Sequence, residues 1–422
     1  MKLKTKFRGF EKKNLLSNTL HMGALQALNL LLPLISIPYI IRVIGPEMFG
    51  LISFATATIS YFLILTDYGF NLSAVRQISI NRHNQKAINQ IYSSVMTVKA
   101  LLFLLCCLLM ILILCFDKFN AHWEIYLITF ILVPGQILFP NWLFQGMEKM
   151  QHITYLNILI KVFFTVCIFI FVNNHSDFLL VPLFTSLGYL FSGICSLILV
   201  KKQFDIEFSF QSFKKIKYQL HEGWHVFFSS ISISLYTTST VFILGLFAGN
   251  AAVGYYSIAD KIIQATKGVF LPFTQALYPF ISSKFYHSKN DGFSFLKTFT
   301  LFIGILIFMT CLFIFYYAAF IVHLISGEFY PDSIFFVRVM SFLPLVVFFS
   351  NILGIQVMLN FGLKRAFSII LALAALLGIV LNLSLVPFYG GLGSSVSILL
   401  VEVFVTFMMA IYVRNKFRKG IF

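Results

Sequence analysis

The chain has 422 residues, of which 59% are hydrophobic and 11% charged; 52 are Phe, and the formal net charge is +16. A soluble domain carries about 25% charged residues, and no soluble core could bury this much apolar surface, so the composition excludes a soluble protein and assigns the chain to a bilayer. The six cysteines (Cys106, Cys107, Cys115, Cys167, Cys195 and Cys311) all fall inside apolar runs, without CxxC metal spacing or a disulfide framework, and read as small packing residues.

A helix needs about 20 apolar residues to cross the hydrocarbon. In chain order twelve runs qualify: 18–44, 50–70, 92–116, 124–145, 152–172, 178–200, 224–248, 252–282, 295–323, 333–359, 366–388 and 392–413. The first is too long for a signal peptide and no small-residue cleavage pattern follows it, so the mature chain is expected to keep its N-terminus. The eighth is the weakest, because it contains Asp260, Lys261 and Lys267. Charge argues for an even count. Lys and Arg favour the cytoplasmic side, and both tails are basic: Lys2, Lys4, Lys6, Arg8, Lys12 and Lys13 at one end, Arg414, Lys416, Arg418 and Lys419 at the other. Both termini are therefore expected in the cytoplasm. With twelve spans, 23 of the 31 basic residues lie in inner segments and one, Lys118, in the outer loops, which hold Glu47, Asp117, Asp177, Glu328 and Asp332. Positive charge spread in this way describes topology and contact with anionic lipid, not a nucleic-acid surface.

The longest inner segment, 201–223, lies near the midpoint and predicts a joint between two six-helix lobes, 1–211 and 212–422. A repeat supports two related halves. Gly45, Gly50, Ser53 and Ala55 recur 204 positions later as Gly249, Gly254, Ser257 and Ala259; Leu143, Gly146 and Lys149 recur 216 positions on as Leu359, Gly362 and Arg365. Paired halves are the architecture of transporters that rock one lobe against the other. No extramembrane segment could fold as a domain of about 50 residues. HExxH, GxSxG, P-loop and nucleotide fingerprints are all absent from the sequence. Asp205-Ile206-Glu207 sits alone in a basic loop, and no strand precedes Gly390-Gly391-Leu392-Gly393. The reading is therefore a transporter, not an enzyme, with no catalytic residues, metal or cofactor.

A charge at the bilayer centre costs about 2.5–3.5 kcal/mol even on the lenient insertion scale, so such residues usually face the protein interior. Arg42, Lys99, Lys297 and Arg338 lie near span ends, where snorkelling suffices; Lys161 is deeper. In the eighth span Asp260, Gln264 and Lys267 fall at i, i+4 and i+7, with Tyr278 on the same face. This stripe is expected to line an aqueous cavity; the alternative is an Asp260–Lys267 pair that only locks helices together. In the second span Ser53, Thr56, Ser60 and Asp67 share a face, and the 204-residue offset maps the first three onto Ser257, Asp260 and Gln264. Matching polar faces on related helices are what a cavity between two lobes would require. Glu402, in the middle of the last span, reads equally as a proton carrier or as a neutral acid hydrogen-bonded inside its lobe. Pro33, Pro38, Pro134, Pro140, Pro272 and Pro279 mark expected kinks.

The stretch IPYIIRVIGPEMFGL from Ile37 to Leu51 resembles the opening signature of the O-antigen repeat-unit flippases (Wzx-type), within the polysaccharide-transport branch of the multidrug/oligosaccharidyl-lipid/polysaccharide (MOP) exporter superfamily. DYGFNLSAVR, from Asp67 to Arg76, resembles the family's next element, and FQGMEK, from Phe144 to Lys149, a third. The resemblance implies an all-α, MATE-like fold of two six-helix bundles around a central cavity lined by spans one, two, seven and eight. It implies a substrate as well: an oligosaccharide on undecaprenyl diphosphate, moved from the cytoplasmic to the periplasmic leaflet of a bacterial inner membrane. Cation coupling, an O-antigen polymerase and a chain-length regulator belong to the same expectation. On that substrate Lys261 and Lys267, helped by Arg42 and Arg338, would hold the anionic head group. Gln264, Ser53, Thr56 and Ser60 would bond sugar hydroxyls. Asp67, Asp260 and Glu402 would balance charge or carry protons. The rival readings are a multidrug/cation antiporter of the same superfamily and a membrane-embedded glycan polymerase or ligase.

Overall fold

The computed structural model describes residues 2–418, and side-chain surroundings from residue 31 onward except at 152, 153, 229, 236, 271–273, 275, 276 and 279. The basic side chains of the first tail, Lys419, and the prolines Pro272 and Pro279 lie outside that set. The described elements are helical throughout. Nine helices among the described residues are long and apolar enough to cross a bilayer.

Three of the helices are too long for one crossing: Lys2–Asp67 (66 residues), Ser239–His287 (49) and Lys364–Arg418 (55). At 1.5 Å per residue even the shortest would run about 74 Å, against roughly 30 Å of hydrocarbon. Each is broken at one glycine: Gly45 (φ 75°, ψ 169°), Gly249 (φ 83°, ψ 172°) and Gly390 (φ 52°, ψ −129°). Positive φ costs glycine little, because it has no Cβ. Gly45 and Gly249 are the repeat pair, and their backbones agree to within ten degrees in both angles. The proline positions differ in whether the helix runs on through them. Pro33 and Pro38 sit in unbroken helix, whereas the fourth span does break at Phe139–Pro140, between Leu132–Leu138 and Asn141–Gly146. A missing N–H can be absorbed by bending a helix; a turn of the chain needs backbone angles that a helix cannot supply. The 201–223 joint is also shorter than expected. Leu180–Phe204 ends at Asp205 and Phe213–Thr237 begins eight residues on. Ile216 and Leu220 pack on a buried cluster, so the lysine-bearing stretch is an amphipathic helix and not a loop.

The chain divides into two compact units: Met1–Val43 with Thr58–Ile231, and Ile44–Ala57 with Ser232–Phe422. In the first, Phe70, Ala74, Ile78, Trp142, Leu143 and Phe144 are completely buried in one cluster. Helix Phe70–Ile80 lies so close to Asn141–Gly146 that a Cβ on Gly146 would come 2.7 Å from Ile78. Beside this contact Arg82 Nε donates to the Gly146 carbonyl (3.2 Å), and its guanidinium pairs with Glu148 at 2.9 Å. The second and third family-like stretches are thus two sides of one packing contact.

In the second unit the segment 44–57 crosses the repeat-related segment after Gly249. A Cβ on Gly50 would lie 1.9 Å from the Asn250 carbonyl oxygen, and a Cβ on Gly254 would lie 1.9 Å from that of Pro46. These contacts are equivalents under the 204-residue offset, so the crossing is reciprocal. Apolar helices gain no hydrophobic drive from leaving lipid; close backbone packing at small residues provides the association instead. Adding one methyl at Gly50 or Gly254 forces two backbones apart, and overpacking of this kind typically costs 1–3 kcal/mol or more. Gly50→Ala and Gly254→Ala are expected to lower the melting temperature of the detergent-solubilised protein by several degrees. Gly249→Ala, where a Cβ meets open space and only the positive φ is strained, should cost about 1 kcal/mol. Equal, small shifts for all three would remove the crossing from the account.

Candidate functional site

The polar stripe of the eighth span lies on the stretch of Ser239–His287 that follows the Gly249 break. Asp260 Oδ1 accepts from Gln264 Nε2 at 3.3 Å. Among the described residues no ion pair joins Asp260 to Lys267, in contrast to Arg82–Glu148 and Lys99–Asp67. Gln264 and Lys267 instead line a pocket of about 210 Å³ with Thr274 and Asn351, backed by Pro344 and Phe348. Glu402 is 9% exposed, and Lys267 is the cation that acts on it electrostatically. Lys267 therefore combines a place in a polar pocket wall with an electrostatic influence on a buried acid.

The facing wall has an irregularity. Leu343–Asn351 passes directly into a π-helix, Ile352–Leu359. The wider turn inserts a residue into the helical register, a feature frequent at functional sites. Gln356, fully buried, reaches across to donate to the Thr274 carbonyl (2.8 Å), and its Oε1 has no hydrogen-bond partner. Asn360 donates to the Gln356 carbonyl (2.9 Å) and accepts from the Ser282 hydroxyl. Asn351, Gln356 and Asn360 did not figure in the reading of the sequence. Their signal was available: three amides in ten residues at the end of an otherwise apolar run.

The other candidates are dispersed. Lys261 is exposed; six residues before Lys267, it lies about 240° away around the helix and does not line the pocket. Arg338 is exposed on Pro331–Met340. Arg42 is exposed and belongs to the first unit. Ser53 and Thr56 fall in the second unit and Ser60 and Asp67 in the first; Thr56 Oγ1 donates to the Ile52 carbonyl of its own helix (2.8 Å). Ser257, the repeat equivalent of Ser53, is buried with its hydroxyl unpartnered.

Lys99 corrects the snorkelling expectation. It is 2% exposed and its ammonium lies 3.7 Å from Asp67, which also accepts from Asn71 Nδ2 at 2.7 Å. A lysine removed from water is tolerable only against a counter-charge. Asp67, one helix away, supplies it.

The geometry can be set beside known proteins. A family model described as "Polysaccharide biosynthesis protein" matches residues 15–285. The chain belongs to that family. Within it, the chain is similar to two relatives, each named "Putative O-antigen transporter". One, from Escherichia coli (strain K12), is 33% identical over 405 residues, covering 96% of this chain and 98% of its own. The other, from Shigella dysenteriae, is 31% identical over 402 residues, covering 94% and 98%. Two solved structures share the fold with TM-scores of 0.69. One is the lipid II flippase MurJ in an inward closed conformation (12% identity; 94% of this chain, 87% of that one). The other is an inward-facing multidrug resistance MATE family transporter of the MOP superfamily (14%; 93% and 94%). The chain shares the fold of these two transporters.

Cutting the buried pair on one side strands a charge, a larger penalty than losing both partners. Lys99→Met and Asp67→Asn are each expected to reduce the yield of folded protein, and the double variant to recover most of it, by fluorescence-detected size exclusion in detergent. A double variant no better than the worse single would show that the pair is not the source of the loss.

Proposed function

We propose that the protein is a flippase carrying undecaprenyl-diphosphate-linked O-antigen oligosaccharide units from the cytoplasmic to the periplasmic leaflet of the bacterial inner membrane by alternating access. The observation that carries this reading is the near full-length likeness to relatives named as O-antigen transporters. The pocket chemistry supports it. A diphosphate seeks a point cation such as a lysine ammonium, and sugar hydroxyls seek neutral donors and acceptors; Lys267 stands among Gln264, Thr274 and Asn351.

The proposal includes twelve spans in two six-helix lobes, 1–211 and 212–422, with both termini cytoplasmic. In its favour, Gly45 and Gly390 each leave two lengths that can cross, and the eleven residues up to Gly249, about 16 Å, continue Phe213–Thr237 into one crossing length while the stretch after Gly249 supplies another. That division turns nine helices into twelve spans, an even number that suits two basic tails. In this scheme Lys261, Arg42 and Arg338 are outlying cations that guide the head group, and Ser53, Thr56 and Ser60 add hydroxyls. Asp260 and Glu402 balance Lys267 or exchange protons. Asp67 is a balancing charge, since Lys99 already engages it. An O-antigen polymerase and a chain-length regulator would receive the product.

The multidrug/cation antiporter reading shares the fold, and likeness to a MATE transporter at 14% identity speaks of fold alone. A lysine in the pocket wall repels organic cations, which favours an anionic head group. Lys267→Ala is expected to abolish surface glycan at unchanged protein abundance, with Lys267→Arg restoring part of it; a deletion strain should accumulate untranslocated lipid-linked units without gaining drug sensitivity. Normal glycan display by Lys267→Ala would retire the assignment. For coupling, Glu402→Gln in proteoliposomes is expected to remove the response of transport to a proton gradient. Transport indifferent to the gradient in the unmodified protein would exclude Glu402 as the carrier.

A further inference from the structure

A second cavity of the same unit has a different character. Helix Lys289–Tyr316, the Leu343–Leu359 segment and the end of Lys364–Arg418 bound an open groove of about 870 Å³. The size is that of a small-molecule site. Leu301, Ile305 and Met309, spaced at i, i+4 and i+8 and all more than half exposed, line one side against Phe349 and Leu353 on the other. Gly304 leaves the floor open: a Cβ there would reach only ordinary contact with Phe348 and Phe349, at 3.7 and 3.9 Å.

One charged side chain lines the groove, Lys297, with Thr300 one turn further along. The Thr300 hydroxyl is buried and has no hydrogen-bond partner. Phe417 lies at the same end, between Lys416 and Arg418 in the sequence. Positive charge and an unmet hydroxyl thus gather at one end of a slot that is otherwise carbon. Bulk acyl chains would cover any apolar face, but they do not call for this polarity. From Lys297 to Met309 the helix rises about 18 Å, enough for the first several units of a long chain.

We infer that this groove holds the isoprenoid tail of the carried lipid, with Lys297 and Thr300 taking an oxygen of its diphosphate. The inference rests on the flippase reading. A single slot with a single cationic end fits a one-chain lipid with a compact anionic head better than a two-chain glycerophospholipid. The contact at Lys297 is a first one: the diphosphate leaves it for Lys267 while the tail remains among the apolar side chains of the groove.

The test uses the full-length protein purified in detergent and a geranylgeranyl diphosphate analogue bearing a diazirine on its chain. Labelling is expected to map to the 301–309 stretch and to be displaced by undecaprenyl diphosphate. Leu301→Trp, which adds bulk at an exposed position, and Gly304→Phe should each reduce labelling by at least about fivefold at an unchanged melting temperature. Lys297→Ala should weaken labelling by the diphosphate probe but not by the corresponding uncharged isoprenol probe. Labelling undiminished in Leu301→Trp would overturn the inference, as would phosphatidylglycerol vesicles competing as well as undecaprenyl diphosphate. The two readings separate through a deletion strain. Groove labelling of the purified protein together with normal surface glycan and no accumulated lipid-linked units in that strain removes the flippase assignment and leaves the groove; lost glycan in that strain with labelling absent from the purified protein does the reverse.

Discussion

Backbone meeting backbone at Gly50 and Gly254 is the contact on which the second unit is organised. Each glycine presses on the residue just past the other copy's broken helix, Asn250 in one case and Pro46 in the other. Within hydrocarbon there is no water to expel from between two apolar helices, so association relies on dispersion at short range. Only residues without a side chain let two backbones approach so closely. Gly45 and Gly249 then redirect the chain on either side of the crossing, in a conformation that glycine alone adopts without strain. Two of the four repeated residues, Gly45 and Gly50, with their copies Gly249 and Gly254, set both the turn and the approach.

The second constraint is electrostatic. A low-dielectric interior makes an unpaired charge costly, so partners decide which ionic side chains remain available for a substrate. Asp67 and Lys99 answer each other and help to tie their helices together. Lys267 is placed differently. It lines a pocket with amide and hydroxyl neighbours, and its charge acts on Glu402 instead of closing an ion pair with Asp260. Asn351, on the other wall of the pocket, is the last residue before the π-helix Ile352–Leu359, and the π-helix itself packs behind that wall. By widening the turn it directs Gln356 to the Thr274 carbonyl while leaving one of its own acceptors unmet.

The stretches that most resemble the exporter family do not line that pocket. Asp67 to Arg76 and Phe144 to Lys149 pack on one another around Ile78 and Gly146, joined by Arg82 and Glu148. Their residue types are dictated by close approach and burial, which every member of a fold must satisfy. A transported glycan makes no such uniform demand, which is why substrate chemistry has to be sought in Gln264, Lys267, Thr274 and Asn351 and not in the signatures.

The related segments around Gly45 and Gly249 came from a sequence repeat, and the family from the resemblance carried by Ile37–Leu51, Asp67–Arg76 and Phe144–Lys149. Composition, hydropathy and tail charge were enough to establish a helical membrane protein, because these properties add up residue by residue along the chain. The stripe at Asp260, Gln264 and Lys267 was legible for the same reason: helical periodicity alone puts it on one face. Which members of a face meet something is decided by neighbours distant in sequence. Lys99 looked like a lysine at a span end until Asp67 was found 32 residues away as its partner, and Lys261 looked equivalent to Lys267 until the helix turned it out of the pocket. Asn351, Gln356 and Asn360 acquired a role only when the local helix widened and Thr274, some eighty residues earlier, came within reach. Partners are chosen by tertiary packing, and in a medium without water a polar side chain's partner determines what it can do.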